Sequence, residues 1–439
     1  MNSFAIQGNV VTEDQILENH FLVVEQGIIQ RLCSTPPDEK YPMLDMRGAY
    51  ILPGFRDQHI HDIQGQLAAG YPTHEASEER FQTVCRALAK QGVTGVYLAA
   101  FGGPLEQLIG YGEAARRWME DPENGASGAR LLGIHIEGTF INQDLRGAQP
   151  AEFCLIPGRD DCNTALNRLC DTGAVRIVNI VPDYGKPSLE LIRRARDLGL
   201  LVGAGHINSS ADLLRAAMEE YGLQFLVHFT NGPTGQSFKP FNGGGTFEGG
   251  LDLPIPKELI VDGFHIDFRY VLDLRRRTQE RWGTDRILTV TDGIFPVAES
   301  IPQGEFAIGT TLARRSETGD YLKTVAYLQP DGSRKPAPPN TLCSSVLTMD
   351  KAFSNWVNYL TDDTQGHWYD HRALPLADAV IKASGLCATH QSKLDGEYAV
   401  TGSIGEGKWA DLTVGRWVEE KEKYQFQVEK VYVRGVRVI

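Results

Sequence analysis

The chain has 439 residues, enough for one large and one smaller domain, and 42% of them are apolar, which excludes a disordered chain. Its 43 Lys and Arg residues are outnumbered by 56 Asp and Glu residues, so the net charge is −13, and no basic block is present. This balance argues against electrostatic binding to nucleic acid or to an anionic membrane surface. An anionic substrate would have to be held by individual, locally placed cations.

The seven cysteines are scattered singly and form no CxxC pair, which is typical of reduced thiols rather than of disulfides or a cysteine zinc site. The N-terminus becomes polar within a few residues and lacks the pattern of a signal peptide. No run approaches 18 uninterrupted apolar residues, the minimum for a membrane span. We therefore expect a cytoplasmic protein without a membrane partner.

The two ends of the chain share one pattern. Residues 4–10, 20–25 and 28–32 predict short strands separated by turns, and residues 411–414, 424–433 and 436–439 predict the same near the C-terminus. Because two strand-rich ends flank a different middle, we expect residues 1–52 and 403–439 to pair into a small β-sandwich domain.

In the middle, apolar β-branched runs alternate with segments of helical period, which is typical of βα units on a parallel sheet. The predicted strands are 55–61, 93–101, 131–140, 175–182, 200–206, 224–230, 259–266 and 287–292. The predicted helices include 77–90, 188–198, 210–221 and 269–282. Eight strands in this arrangement predict a (β/α)8 TIM-like barrel over residues 53–402. The alternative, an open doubly wound sheet, lacks its GxGxxG fingerprint after the first strand.

Polar residues stand where these strands end. The first strand closes with His59 and His61, whose side chains point to the same face because strand residues alternate. Later strand ends carry His135, Glu137, His206, His228, His265 and Asp292. The carboxyl ends of barrel strands meet at one face, where active sites form. A single polar strand end is usually structural, but six of the eleven histidines in such positions predict a metal site.

Imidazole nitrogens and a carboxylate are the ligands of zinc and similar divalent ions, and a catalytic site leaves one position for water. The ion can lower the pKa of that water from about 15.7 to near 7. A carboxylate that is not a ligand can then carry the proton to a leaving group, and Asp292 at the last strand end is the candidate. The same ligands accept zinc, iron, manganese or cobalt.

Six segments carry a family resemblance: residues 51–61, 133–140, 205–209, 228–232, 262–265 and 290–293. They resemble, in this order, the PGFxDxHxH, GxHxEGPF, GHSxA, HxxNA, DGxH and VTDA motifs of the amidohydrolase superfamily, and within it of the N-acetylglucosamine-6-phosphate deacetylase family. Residues 342–350 resemble LAGSxLTMD, and residues 402–411 resemble the GxIxxGxxAD that returns the chain to the β domain. One HxH alone would be a weak signal, whereas this ordered set spans nearly the whole chain.

The resemblance implies a metal centre with one or two divalent ions per subunit, zinc foremost. Glu137, His206 and His228 would hold the catalytic ion. His59 and His61, with Glu137 bridging, would hold a second one.

It also implies roles around the ion. Asp292 would act as general base and then as general acid, and His265 would polarise the scissile carbonyl. Asn231 and the backbone N–H of Gly232 would bind the sugar phosphate.

Three departures from the family pattern concern the substrate. Gln149 replaces a histidine that contacts the sugar, and Thr139 replaces a proline. Lys239 replaces a phosphate-binding arginine that reaches in from a neighbouring subunit, so a homodimer is expected; lysine lacks the bidentate fork of arginine. The glycine-rich segment 240–250 that follows is either a flexible surface insertion or a substrate contact.

We therefore expect a metal-dependent amide hydrolase that deacetylates an N-acetylated amino sugar or its 6-phosphate, a small-molecule substrate. The alternative enzyme is a related amidohydrolase acting on another N-acyl or cyclic amide. A third hypothesis, from a different class, is a non-catalytic scaffold of the same fold. The presence of every ligand and of Asp292 argues against a scaffold.

Overall fold

The structure, a computed structural model, describes residues 3–61, 74–231, 243–283, 286–294, 304–308, 310–329, 331–364, 372–420 and 423–439. Three sheets organise these residues. Among the described residues, no helix is both long enough and apolar enough to cross a lipid bilayer.

The first sheet joins the two ends of the chain. Its seven strands are Phe4–Val11, Ile16–Glu25, Ile28–Cys33, Met43–Pro53, Leu412–Glu420, Lys423–Val433 and Val436–Arg437. Met43–Pro53 lies at the centre, parallel to Phe4–Val11 on one side and antiparallel to Leu412–Glu420 on the other. The prediction that the ends pair into a β structure is confirmed, and hydrogen bonds join these strands into one continuous sheet. The domain boundaries at 52/53 and 402/403 stay a prediction.

The second sheet has eight parallel strands that follow one another in chain order. They are Phe55–Ile60, Val93–Ala100, Arg130–Phe140, Val175–Ile180, Leu201–Ala204, Phe225–Leu226, Lys257–Ile260 and Ile287–Val290. The first and last meet: the Asp292 N–H donates to the His59 carbonyl over 2.7 Å, and the His61 N–H donates to the Gly293 carbonyl over 2.9 Å. The sheet is therefore closed, and the predicted TIM-like barrel is confirmed, with every predicted strand overlapping an observed one.

The helices of the described residues are His74–Ala89, Leu105–Glu120, Cys162–Asp171, Lys186–Asp197, Ala211–Tyr221, Thr246–Asp252, Phe268–Trp282, Met349–Thr361, Leu376–Ser384 and His390–Leu394. Short helical turns lie at Gln143–Leu145, Ala151–Phe153, Gly385–Thr389 and Glu397–Ala399. The four predicted helices are confirmed.

Local sequence explains these elements. The strand Val93–Ala100 is buried at all eight positions and, apart from Thr94, is made of glycine and apolar or aromatic residues, as expected for a strand covered on both faces. The helix Ala211–Tyr221 begins where the Ser210 hydroxyl accepts the Leu213 N–H over 3.2 Å. It ends at Gly222, whose φ of 89° is a left-handed conformation that glycine adopts without strain.

The third sheet was not predicted. Glu305–Ile308, Thr311–Arg315, Leu322–Leu328 and Arg334–Pro336 form an antiparallel sheet after the last barrel strand. This sheet lies against the loop after the third barrel strand: the Tyr327 hydroxyl donates to the Gly147 carbonyl over 3.1 Å, and the Thr311 hydroxyl donates to the Ala148 carbonyl over 2.9 Å. It therefore supports one wall of the cavity described below.

Candidate active site

The polar strand ends converge on one cavity of about 320 Å³ at the carboxyl-terminal face of the barrel. Of the residues singled out from the sequence, those that line it are His61, Glu137, Gln149, His206, His228, Asn231, His265 and Asp292. His59 is fully buried behind them. The convergence of these side chains, expected from their places at strand ends, is therefore found in the fold.

Glu137, His206 and His228 form the tightest group. Glu137 Oε1 lies 3.1 Å from the Nε2 atom of each histidine, and the two Nε2 atoms lie 3.2 Å apart. All three side chains are almost entirely buried. Two imidazoles and a carboxylate directed at one point are a ligand set for a divalent ion.

A second group shares Glu137. His61 Nε2 lies 3.5 Å from Glu137 Oε2, and His59 Nε2 lies 3.8 Å from Glu137 Oε1. Asp292 Oδ1 lies 3.1 Å from His61 Nε2 and 3.6 Å from His59 Nε2. The carboxylate of Glu137 thus lies between the two histidine pairs, where it could bridge two ions.

The contacts of the Nδ1 atoms show which nitrogen of each histidine ring faces the metal position. The Nδ1 atoms of His61 and His206 lie 3.1 Å from the Ala99 carbonyl and 2.8 Å from the Leu145 carbonyl. Carbonyl oxygens only accept hydrogen bonds, so each Nδ1 carries a proton, and Nε2 is the nitrogen directed at the metal position.

Besides His228 Nδ1, two buried atoms that point into this centre lack a hydrogen-bond partner: His59 Nε2 and Asp292 Oδ1. An unsatisfied buried polar atom is costly, and these two face the same space as the Nε2 atoms above. The residues therefore fit a divalent metal, which would satisfy lone pairs that no described side chain does.

The carboxylates of the centre stay ionised. Burial alone would raise the pKa of Glu137, but hydrogen bonds from His206 and His228 hold it well below its usual range. Burial also opposes ionisation of Asp292, yet His61 and His59 lower its pKa. Around His59, carboxylates outweigh the effect of burial, with Glu258 foremost, and raise its pKa to about 10. The site thus favours positive charge.

The backbone is strained at three of these residues. His206, His228 and Asp292 have φ angles of 56°, 30° and 48°, in the left-handed region that non-glycine residues seldom adopt. Each follows its barrel strand by two residues, where the chain turns sharply over the face of the barrel. Such strain persists only where surrounding structure enforces it, and it concentrates at functional sites.

His265 stands apart from the ligand groups, in the loop after the seventh barrel strand. Its Nδ1 lies 2.7 Å from Asp262 Oδ2, and the Asp262 Oδ1 atom accepts the His265 N–H over 2.8 Å. Burial lowers the pKa of His265, but Asp262 more than compensates and raises it. The ring is thereby held with Nδ1 protonated.

The predicted substrate contacts are only partly described. Gln149 donates to Glu137 through Nε2 and accepts the Gly102 N–H at Oε1 over 2.8 Å, so both ends of its amide are already bonded. Asn231 Nδ2 donates to the Thr230 hydroxyl over 3.3 Å, at the cavity wall. Gly232 and Lys239 lie outside the described residues.

Within the described part of the glycine-rich segment, residues 246–250 belong to the packed helix Thr246–Asp252. A Cβ added at Gly249 would lie 2.9 Å from the Ala211 Cα, so glycine permits the close approach of Thr246–Asp252 to the neighbouring helix. Among the described residues of 243–250, none lines the cavity.

Sequence reasoning missed two buried groups beneath the site. Asp57 accepts the Thr291 hydroxyl over 2.6 Å, and burial raises its pKa to about 7. Glu258 contacts the ring of His59 over 3.1 Å. The cavity wall also includes Asn340 and Ser344, from the loop after the third sheet. The available signal for Glu258 was a carboxylate directly before the apolar run that begins at Leu259.

Known proteins match most of the chain, although no protein-family profile matches it. The N-acetylglucosamine-6-phosphate deacetylase of Bacillus subtilis (strain 168) is 25% identical over 415 residues, 92% of this chain and 91% of that protein. The enzyme of the same name from Lysinibacillus sphaericus is 26% identical over 396 residues, 89% of this chain and 88% of that protein.

Solved structures share the fold. The crystal structure of N-acetylglucosamine-6-phosphate deacetylase from Pasteurella multocida has a TM-score of 0.77 at 20% identity, over 99% of both chains. The resemblance to the amidohydrolase superfamily, and within it to these deacetylases, is therefore confirmed over most of the chain.

Proposed function

We propose that this chain is a metal-dependent deacetylase that hydrolyses the amide bond of an N-acetylated amino sugar 6-phosphate, releasing acetate and the free amine. The observation that carries the proposal is the convergence of Glu137, His206 and His228 to within 3.2 Å of one another beside Asp292. Relatives named for this activity align with about nine-tenths of the chain.

Glu137, His206 and His228 would hold the catalytic ion, and His59 and His61 would hold a second one with Glu137 between them. When bound, such an ion polarises the amide carbonyl and lowers the pKa of water. We propose zinc, because two histidines, one carboxylate and an open position form a common catalytic zinc set. Metal analysis of the purified protein distinguishes zinc from iron, manganese or cobalt.

Asp292 would move the proton. Its lowered pKa leaves it ionised near neutral pH, so it can accept a proton from the attacking water. The same carboxyl group would then donate that proton to the nitrogen as the C–N bond breaks. One residue would thus serve as base in the attack and as acid in the departure of the amine.

His265 would stabilise the carbonyl oxygen. Asp262 holds its Nδ1, and the raised pKa keeps a proton on Nε2 to higher pH than in a free histidine. Nε2 can then donate a hydrogen bond to the oxygen as negative charge develops there.

Substrate size and charge complete the proposal. A cavity of about 320 Å³ is suited to a small molecule. Among the described residues that line it there is no Lys or Arg, so Lys239 is proposed as the phosphate contact. Asn231, the Gly232 N–H and Gln149 are proposed to bind the sugar.

Two further properties rest on the family resemblance. We propose a homodimer, because the residue equivalent to Lys239 reaches in from a neighbouring subunit in that family, and a cytoplasmic location. Analytical ultracentrifugation of the purified protein tests the first, and fractionation of the source cells tests the second.

A substrate panel tests the activity. It comprises N-acetylglucosamine, its 6-phosphate, the galactosamine epimer of that phosphate, an N-acetyl amino acid and a cyclic amide, with acetate and free amine measured. We expect the highest kcat/KM for a 6-phosphate. Turnover confined to the amino acid or the cyclic amide would support the alternative hydrolase. Stoichiometric metal without turnover of any compound would contradict the proposal, and absence of metal would favour the scaffold.

A further inference from the structure

Glu258 is a carboxylate in the barrel interior that the mechanism above does not use. It lies in the strand Lys257–Ile260 and is fully buried. Oε1 accepts the Gln58 amide over 2.6 Å, while Oε2 lies 3.1 Å from His59 Nδ1 and accepts the His228 N–H over 3.1 Å. Three contacts on two oxygens leave the carboxylate one orientation.

This arrangement determines which nitrogen of the His59 ring faces the metal position. An ionised carboxylate only accepts hydrogen bonds, so His59 Nδ1 must carry a proton. Nε2 is then the nitrogen at which a metal ion can take the place of a proton, and it is an unpartnered atom directed toward Glu137 and Asp292. The ring therefore cannot turn without breaking the contact with Glu258.

Glu258 differs from the groups that hold the other ligands. His61 and His206 rest on the backbone carbonyls of Ala99 and Leu145. Only a carboxylate adds a full negative charge behind the ring, which raises the basicity of the opposite nitrogen more than a carbonyl does. Among the described residues, no Lys or Arg forms an ion pair with Glu258, so a cation beyond His59 would balance its charge.

We propose that Glu258 is a positioning residue that makes His59 a metal ligand and thereby determines whether the position between His59 and His61 binds an ion. The inference rests on the proposed function in so far as that function needs a metal centre. It concerns the second position, and it makes no use of the substrate.

The test is a metal titration of the full chain after removal of metal by a chelator. Zn²⁺ binding is followed by calorimetry, and bound metal is counted by mass spectrometry. Glu258→Gln keeps the shape of the side chain but removes its charge. The amide also has one oxygen instead of two, so it can accept hydrogen bonds at only one of the two positions. We expect the second ion to bind 10- to 100-fold more weakly, the usual effect of losing a partner behind a metal ligand.

Asp57→Asn is the matched control. It is the same carboxylate-to-amide change at another fully buried position beside His59, but Asp57 accepts the His59 backbone N–H and does not touch the ring. We expect a loss of stability without a change in the affinity for the second ion. Equal weakening in both variants would overturn the proposal, because the effect would then come from general loosening of the barrel.

His59→Ala separates positioning from structure. If Glu258 acts through His59, Glu258→Gln costs no further metal affinity in the His59→Ala background. A further loss of metal affinity in that background, at the site formed by Glu137, His206 and His228, would overturn the proposal. It would show that Glu258 acts by holding the His228 backbone.

If Glu258→Gln does not fold, Glu258→Asp carries the same test, since it keeps the charge but is too short to reach the ring. Unchanged affinity in a folded variant overturns the proposal, as does a wild-type chain that binds a single ion. Neither result touches deacetylation with one metal, whereas an inactive enzyme with two ions and the expected variant effects would contradict the proposed function alone.

Discussion

Near the starts of the first three barrel strands, buried charges pair with one another. Arg56 donates to Glu397 over 2.9 Å and also donates to Asp395 Oδ2. The same Asp395 oxygen accepts the Tyr97 hydroxyl over 3.0 Å. Arg130 donates to the same Glu397 over 2.9 Å. At the opposite end, where the strands finish, Glu137 and Asp292 face histidines with no Lys or Arg among the described partners.

The difference lies in what each cluster lacks. The lower cluster, defined as Arg56, Tyr97, Arg130, Asp395 and Glu397, gives each carboxylate at least two donors. The upper cluster, defined as His59, His61, Glu137, His206, His228 and Asp292, leaves His59 Nε2, His228 Nδ1 and Asp292 Oδ1 unpartnered and places three residues in left-handed backbone. Arg56 Nε in the lower cluster also lacks a partner, so the contrast lies in the carboxylates. Carboxylates that face Arg side chains hold the fold together, whereas carboxylates that face only histidines are prepared for a cation. Substitutions in one cluster should therefore leave the other cluster intact.

The largest effect is expected for His206→Ala or His228→Ala. Each removes one of three ligands to the catalytic ion, so metal content and deacetylation should fall together while the barrel remains folded. Metal analysis, circular dichroism and turnover are measured on the same sample. His59→Ala should do less if one ion suffices. Full turnover by a metal-free His206 or His228 variant would rule out the ligand assignment.

Asp292→Asn should keep the fold and at least one bound ion but lower turnover by about 10² to 10⁴, the usual contribution of acid–base catalysis. The amide has nearly the same size but cannot accept a proton near neutral pH. The loss should appear in kcat with KM little changed, since the interaction matters in the transition state. Activity regained with excess metal would instead make Asp292 mainly a ligand.

Arg56→Met should act on stability alone. Removing one partner from a buried ion pair costs about 3–5 kcal/mol of unfolding free energy, because the buried Asp395 carboxylate loses its cation, whereas Glu397 keeps Arg130. The control is Arg47→Met, whose ion pair with Asp45 is exposed to solvent, so its removal should change stability little. Urea unfolding measures both. Loss of metal from folded Arg56→Met would show that the two clusters are not separate.

Lys239→Ala should have the smallest effect, about 10- to 150-fold on KM for a phosphorylated substrate, from the loss of roughly 1.5–3 kcal/mol in one charged contact. An unphosphorylated substrate should be unaffected. Lys90→Ala, an exposed lysine near the start of the second barrel strand, is the control. If both substrates respond alike in Lys239→Ala, that lysine does not recognise phosphate.

The sequence predicted the strands and helices whose apolar residues follow a local pattern along the chain. Buried strands such as Val93–Ala100 are mainly apolar runs, and the polar residues that follow several of the barrel strands had to meet once the sheet closed. The same reasoning brought Glu137, His206 and His228 together although 91 residues separate the first from the last. Strand ends are therefore a strong signal in a barrel.

Other features depend on contacts that no local pattern contains. The predicted seventh strand began at Leu259, so Glu258 fell outside it, and its partner His59 is 199 residues away. The third sheet was missed although Leu322–Leu328 alternates between buried and partly exposed residues, because its strands are short and pair only with one another. Gly249 was assigned to a loop, yet its lack of a side chain permits close helix packing.

The most direct test of the open upper cluster is anomalous diffraction at the zinc edge from crystals of the protein supplied with Zn²⁺. We expect an anomalous peak between the Glu137 carboxylate and the Nε2 atoms of His206 and His228, at about 2.0–2.2 Å from each ligand atom. A zinc peak elsewhere on the protein, with none between these three side chains, would contradict it.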